Sequence, residues 1–292
     1  MKLKISHYTH YTYEEPIRYS VNEIRLTPQT DSRQFCYEHS ISVNPEVSLF
    51  SYEDFFANKV HSFSVSEPHQ ELLIKAESIV LTNEKELQQG RPLPLSTEKK
   101  IIRSNTFQNH FTEYLNGTAY TKMSPELSAF VQDMEDLDSS GGIFLHLKKI
   151  SECIYLNFTY DPKATDVHTT VEETLRLRRG VCQDFAHLMI AVCRSKGIPA
   201  RYVSGYHFIG DLQGGHADYE QASHAWVEGY IPGKGWVGYD PTNNGMVNWR
   251  YVKIGHGRDY RDIVPVKGVY NGTAAQVLTV EVDVKVWDGQ GE

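Results

Sequence analysis

Several features are scarce or missing in these 292 residues, and each absence narrows the field. No apolar run approaches the ~18 residues that a helix needs to cross a hydrocarbon core, so no membrane-spanning helix is expected. There are four cysteines, at 36, 153, 182 and 193, and none forms a C-x-x-C pair. That excludes both a disulfide framework and a paired-thiolate zinc site, and reduced thiols are expected. Positive charge is in deficit, with 29 Lys and Arg against 37 Asp and Glu and a net charge of −8, so a polyanionic partner such as nucleic acid is a poor fit. The N-terminus, Met1 to His10, has the lysines of a signal peptide, but polar residues follow where an apolar segment would be needed; a soluble cytoplasmic protein is expected. No acidic loop of calcium-binding spacing appears, and no internal repeat. No metal or cofactor is called for.

What is present is the composition of a globular protein, 40% hydrophobic and 23% charged. The length suits one large domain or two ordinary ones. Up to about residue 85 the chain reads as short strands: Leu3, Ile5 and the tyrosines to Tyr13, then Ile41 to Val43 and Leu72 to Ile74, punctuated by Pro16, Pro28, Pro45 and Pro68. This pattern predicts a β-sandwich-like N-terminal domain over 1–85. Residues 86–122 are polar, with Gly90, Pro92 and Pro94, and read as a linker. From 123 to 292 helices lead into a sheet. Ser124-Pro125-Glu126 caps one helix, Ile143 to about Leu156 forms a second, and Thr170 with Glu173 caps a third that stops at Gly180. A buried helix is predicted from Cys182 to Lys196, ended by Gly197-Ile-Pro199. Strands follow at 200–204, 222–228 and 236–240, and the alternating Val280 to Val286 predicts a half-exposed antiparallel strand.

Cys182 is the chemically distinctive thiol because it opens a helix, where unpaired N–H groups and the macrodipole favour negative charge. Cys153 and Cys193 lie mid-helix and Cys36 in a strand, positions that read as packing. A nucleophilic thiol needs a base, and the base needs an orienting group. His224 opens one strand and Asp240 closes the next, and a hairpin turning at 232–235 would place both at the same end. Taken singly, His224 reads as a structural strand histidine and Asp240 as a turn residue; their order with Cys182 favours a catalytic set. His187, five residues after Cys182 on the same helix, is a competing base that should face elsewhere. His7 and His10 should face opposite sides of a strand, and His216 and Asp218 fall in a Gly-rich loop that could flank a cleft.

Four segments taken together, 180–188, 197–206, 223–228 and 235–243, resemble the core of the bacterial transglutaminase-like superfamily. The early residues Tyr13, Pro16, Ser20 and 23–28, with Pro68-His69, are similar to the N-terminal β-domain that accompanies it, and 257–268 to its C-terminal flank. The resemblance implies an α+β, papain-like transglutaminase core in which a cysteine helix packs on an antiparallel sheet, with Cys182 as nucleophile, His224 as general base and acid and Asp240 as orienting carboxylate. One oxyanion donor would be the Cys182 backbone N–H, with Tyr160 a weak candidate for a second. Bacterial proteins of this kind are commonly described as cysteine proteases, so hydrolysis of a peptide or protein amide is expected. Amine acyl transfer and a non-catalytic peptide- or partner-binding module on the same fold are the alternatives.

Overall fold

The computed structural model describes residues 1–83, 93–134, 141–210, 223–287 and 289. Six strands come first: β1 (Lys2–Ile17), β2 (Ser20–Ile24), β3 (Gln34–Asn44), β4 (Phe50–Glu53), β5 (Lys59–Val65) and β6 (His69–Thr82). Helices α1 (Leu95–Ile102), α2 (Asn105–His110), α3 (Thr112–Leu115), α4 (Pro125–Gln132) and α5 (Ile143–Asn157) lead to the short β7 (Thr159–Tyr160). Then come α6 (Val171–Leu177), β8 (Arg179–Gly180) and α7 (Cys182–Ser195). The remaining strands are β9 (Ala200–His207), β10 (Ser223–Ile231), β11 (Gly235–Asp240), β12 (Gly245–Met246), β13 (Tyr251–Gly257), β14 (Val266–Tyr270) and β15 (Gln276–Val286).

Two four-stranded sheets, ordered β15-β1-β6-β3 and β14-β2-β5-β4, build the N-terminal domain. The pattern of β6 explains how: Leu72, Ile74, Ala76, Ser78, Val80 and Thr82 are buried at every second position, the period of a strand with one covered face. Leu72, Ile74, Ala76 and Val80 share a core with Leu3 and Ile5 of β1, Ile24 of β2 and Phe63 and Val65 of β5. Each fully buried leucine or isoleucine there contributes ~1.5–3 kcal/mol over its exposed state.

The other large sheet is antiparallel and five-stranded, ordered β12-β11-β10-β9-β13. Helix α7 lies against it, with Phe185, Ala186, Leu188, Met189, Ile190 and Val192 in one core with Tyr202, Ala225, Val227 and Tyr239. Apolar residues on every side mark this as an interior helix. Its C-terminal end is set by Gly197 at φ 72, the left-handed conformation that lets the Ile198 N–H return to the Cys193 carbonyl at 2.9 Å. Tyr206, Val252 and Ile254 of the same sheet, with Phe208 just past β9, enter the N-terminal core, so the two halves are joined by packing.

Two sequence boundaries shift. The described part of the linker, from 93, carries the helices α1, α2 and α3, and Ile102, Phe107 and Phe111 are buried in the α7 core; these apolar residues are scattered among polar ones, which hid their common face. Gly90 and Pro92 of that linker lie outside the described residues. The C-terminal strands do not stay with the core. β15 pairs along its length with β1, and β14 with β2, so both complete the N-terminal sheets. One cap also differs: α6 ends on Arg178 in the left-handed conformation, two residues before Gly180.

Candidate active site

Helix α7 begins at Cys182 because its entry is tied down from outside. The Asp184 carboxylate accepts the Val181 N–H at 2.8 Å and the Thr165 hydroxyl at 2.7 Å, and its side chain fills the space a Cβ on Gly180 would need. The N–H groups of the first turn are thus presented at the thiol end. Cys182 itself is half-buried. In contrast, Cys193 is fully buried and its thiol pushed up to about 12, and burial raises the Cys36 and Cys153 thiols as well.

The hairpin of β10 and β11 has the expected register, with Val227 opposite Tyr239 and Ile231 opposite Gly235, so His224 and Asp240 stand at one end. His224 Nε2 lies 2.7 Å from Asp240 Oδ2. Asp240 is fully buried and its charge is satisfied on all sides: Oδ2 also accepts from Asn243 Nδ2 at 2.7 Å and from the Tyr251 hydroxyl at 2.8 Å, while Oδ1 accepts the backbone N–H groups of Thr242 and Asn243. Burial alone would raise this carboxyl; the charge of His224 and the three side-chain donors outweigh it and hold it well below the usual carboxylate range. The imidazole responds in kind. Burial works against its cation, but Asp240 and, after it, the nearby Cys182 outweigh it and raise His224 to about 10. With Nε2 on the carboxylate, Nδ1 is the nitrogen left for the thiol. Such an arrangement can hold an imidazolium beside sulfur and move its proton.

The structure places His187 elsewhere. It is buried, stacked on Tyr120 with centroids 4.7 Å apart, and its Nε2 accepts the Tyr260 N–H at 3.1 Å; burial keeps it neutral, with a pKa of about 3. His7 is buried and His10 half-exposed, on opposite faces of β1. His216 and Asp218 lie outside the described residues. Tyr160 does reach the site: with His207, Ile209, Ser223, His224, Thr242 and Asn243 it lines a cleft of about 250 Å³. A wider groove of about 510 Å³ in the N-terminal domain, lined by Tyr19, Phe50 and Glu67 among others, contains no thiol or imidazole.

His207, His224 and Asp240 offer ligand atoms within 4.8 Å of one another, the one such group of three among the described residues. Two of those residues are engaged with each other, His224 Nε2 and Asp240 Oδ2 lying 2.7 Å apart, the separation of a hydrogen-bonded pair. No helix among the described residues is long and apolar enough to cross a membrane.

Comparisons with known proteins place the chain in a family. The profile of the bacterial transglutaminase-like N-terminal region matches residues 3–81, and that of the transglutaminase-like superfamily matches residues 136–241. An uncharacterised protein of Mycobacterium leprae is 35% identical over 97% of this chain and 98% of its own length. The chain belongs to the transglutaminase-like superfamily. Its transglutaminase-like fold is shared with a protein from Cytophaga hutchinsonii described as a "putative cysteine protease", at TM-score 0.74 and 23% identity over 100% of this chain and 92% of that one. A protein-glutamine gamma-glutamyltransferase of Pseudomonas aeruginosa is 36% identical over 93 residues, which are 29% of this chain and 13% of that protein.

Sequence reasoning missed three contributors to this transglutaminase-like site. Tyr251 arrives from β13, and no local signal links it to Asp240. His207 was detectable only as the residue two places beyond Gly205, on the face that carries His224. Gly205 itself is required there, since a Cβ would collide with the Val252 carbonyl and the Trp226 ring.

Proposed function

We propose that this protein is a thiol-dependent amide hydrolase that works through a thioester on Cys182. The observation that carries the reading is the 2.7 Å contact of His224 Nε2 with buried Asp240, while the thiol acts on the same imidazole. In this reading the Cys182 sulfur attacks the amide carbonyl, and the carbonyl oxygen becomes an oxyanion facing N–H donors at the start of α7. His224 then gives its proton to the leaving nitrogen as the C–N bond breaks, leaving a thioester. Water attacks the thioester carbonyl, His224 takes the proton from that water, and sulfur leaves as the carboxylic acid forms. Asp240 keeps the imidazole in one orientation and stabilises its cation.

Water is the acceptor that needs no further binding site, and the cleft is bordered by the exposed Tyr160, Ile209, Ser223 and Asn243. The substrate class is a peptide or protein amide. One observation favours a second reading, transfer of the acyl group to an amine: the 93-residue likeness to the Pseudomonas gamma-glutamyltransferase. A screen of amide-bearing peptides in ¹⁸O-labelled water, with and without a fluorescent primary amine, separates the two. Hydrolysis predicts label in a new carboxylate, and transfer predicts the amine in the product. If neither product forms, and no acyl group is ever trapped on Cys182, both readings fall and a binding module remains.

A further inference from the structure

A second imidazole stands in the cleft, and the acyl-transfer chemistry gives it no task. His207, on β9, is paired with Tyr251 of the neighbouring β13, and their rings lie face to face, 4.2 Å between centroids and 11° apart. The hydroxyl of that same tyrosine donates to Asp240 Oδ2 at 2.8 Å, the oxygen His224 Nε2 meets at 2.7 Å. A continuous run of contacts therefore leads from the His207 ring through the phenol and the carboxylate to the His224 imidazole. The His207 and His224 rings are 5.5 Å apart.

We propose that His207 is a positioning residue: clamped on the Tyr251 ring, it holds the phenol hydroxyl on Asp240 and so fixes the direction in which His224 faces Cys182. The inference rests on the reading of Cys182 and His224 as nucleophile and base. A phenol pivots about its side-chain bonds, and a donor that wanders would leave Asp240 Oδ2 short of one hydrogen bond in a fully buried place, where an unmet acceptor is costly. Stacking removes that freedom.

The charges around His207 suit this task. Burial first, then the nearby His224 cation and the Arg250 guanidinium, lower it to about 4 against the opposing pull of Asp240. It is therefore neutral at ordinary pH and does not compete with His224 for the carboxylate. Burial and the Asp240 charge likewise push the Tyr251 phenol well above its ordinary range, which keeps it a donor. A phenyl ring at 207 could do what the imidazole does; an alkyl side chain could not.

The test needs no substrate. The alkylation rate of Cys182 by iodoacetamide, followed by peptide mapping of the full-length protein from pH 5 to 9, reports how well the imidazolium supports sulfur. His207→Ala should slow alkylation at pH 6 by about tenfold, because an imidazolium that no longer faces sulfur squarely stabilises the thiolate less. Tyr251→Phe should do the same, and the double variant should be little worse than either, because the two act through one contact. His207→Phe should restore the wild-type profile. If His207→Ala unfolds the protein, His207→Leu against His207→Phe makes the same comparison. A His207→Ala or His207→Leu profile that superposes on wild type overturns the proposal, as does a His207→Phe variant no faster than the alkyl one. Failure of the underlying reading looks different: His224→Ala would itself leave the wild-type profile unchanged, and the pair that His207 is held to position would not exist.

Discussion

His224 and Asp240 meet at 2.7 Å across a hairpin that separates them by sixteen residues. The carboxylate has no exposure to solvent and accepts five hydrogen bonds, so the imidazole faces a fixed, fully ordered negative charge. Preorganisation of this kind costs nothing at the moment of reaction, which is why the contact carries the functional argument.

Removal of the reacting groups should follow a definite order. Cys182→Ala is expected to abolish amide turnover with an unchanged unfolding midpoint, since the half-buried side chain loses little packing. His224→Ala should lower kcat about 10²–10⁴-fold, the usual range for a general acid–base. Asp240→Asn should cost less, and His187→Ala should keep most of the activity because that ring is stacked on Tyr120 and held by Tyr260. A variant at both 182 and 224 should be scarcely worse than either alone. An inactive but folded His187→Ala beside a nearly wild-type His224→Ala would mean that the base is wrongly assigned.

Limiting iodoacetamide at neutral pH should label Cys182 before the other three thiols. Cys193 is fully buried, and burial disfavours the thiolates of Cys36 and Cys153. Peptide mapping that found one of those three modified first would contradict an activated Cys182.

The Cys182 helix, the hairpin and the strand alternation were legible because each depends on neighbours in sequence: a capping residue, a turn, a period of two. The tertiary assignments were less so. Ile102, Phe107 and Phe111 form one apolar face only after α1 and α2 fold, and their polar neighbours dilute the signal. β15 has the alternation of an antiparallel strand, yet nothing local shows that its partner is β1, at the opposite end of the chain. The same holds within the site. His224 and Asp240 are joined by one hairpin, whereas Tyr251 reaches Asp240 from a strand three places away across the sheet, a contact set by strand order.

The pH dependence follows from the His224 shift. Its pKa is raised from 6.5 to about 10, so the imidazolium and the stability it contributes are fully present below about 6.5 and are lost as pH climbs through about 10. Turnover, and Cys182 alkylation relative to a free thiol, should fall on that alkaline side. Asp240→Asn removes the attraction that raises the pKa, so its alkaline fall should begin at lower pH. A stopped-flow or NMR titration giving the same alkaline limb in both proteins would rule out Asp240 as the cause.

A last prediction concerns the charges that tie β9, β10 and β13 together behind the site. Glu228 Oε2 receives Arg201 Nη2 at 2.6 Å, Arg201 Nε at 2.7 Å and Lys253 Nζ at 2.8 Å, all within a nearly dry interior. Burial would raise the carboxyl, but Arg201 and Lys253 hold it far below its usual range, while Lys253 itself falls to about 8 because its own burial outweighs the pull of Glu228. Glu228→Gln keeps the shape and removes the charge, leaving two cations buried without a counter-ion. Breaking a buried pair this way costs ~3–5 kcal/mol, and the protein should lose that much in urea denaturation. Glu228→Gln combined with Lys253→Met should recover part of the loss, since one of the stranded cations is then gone. If the single variant is as stable as wild type, Arg201 and Lys253 must reach water in the folded state, and this cluster does not hold the sheet.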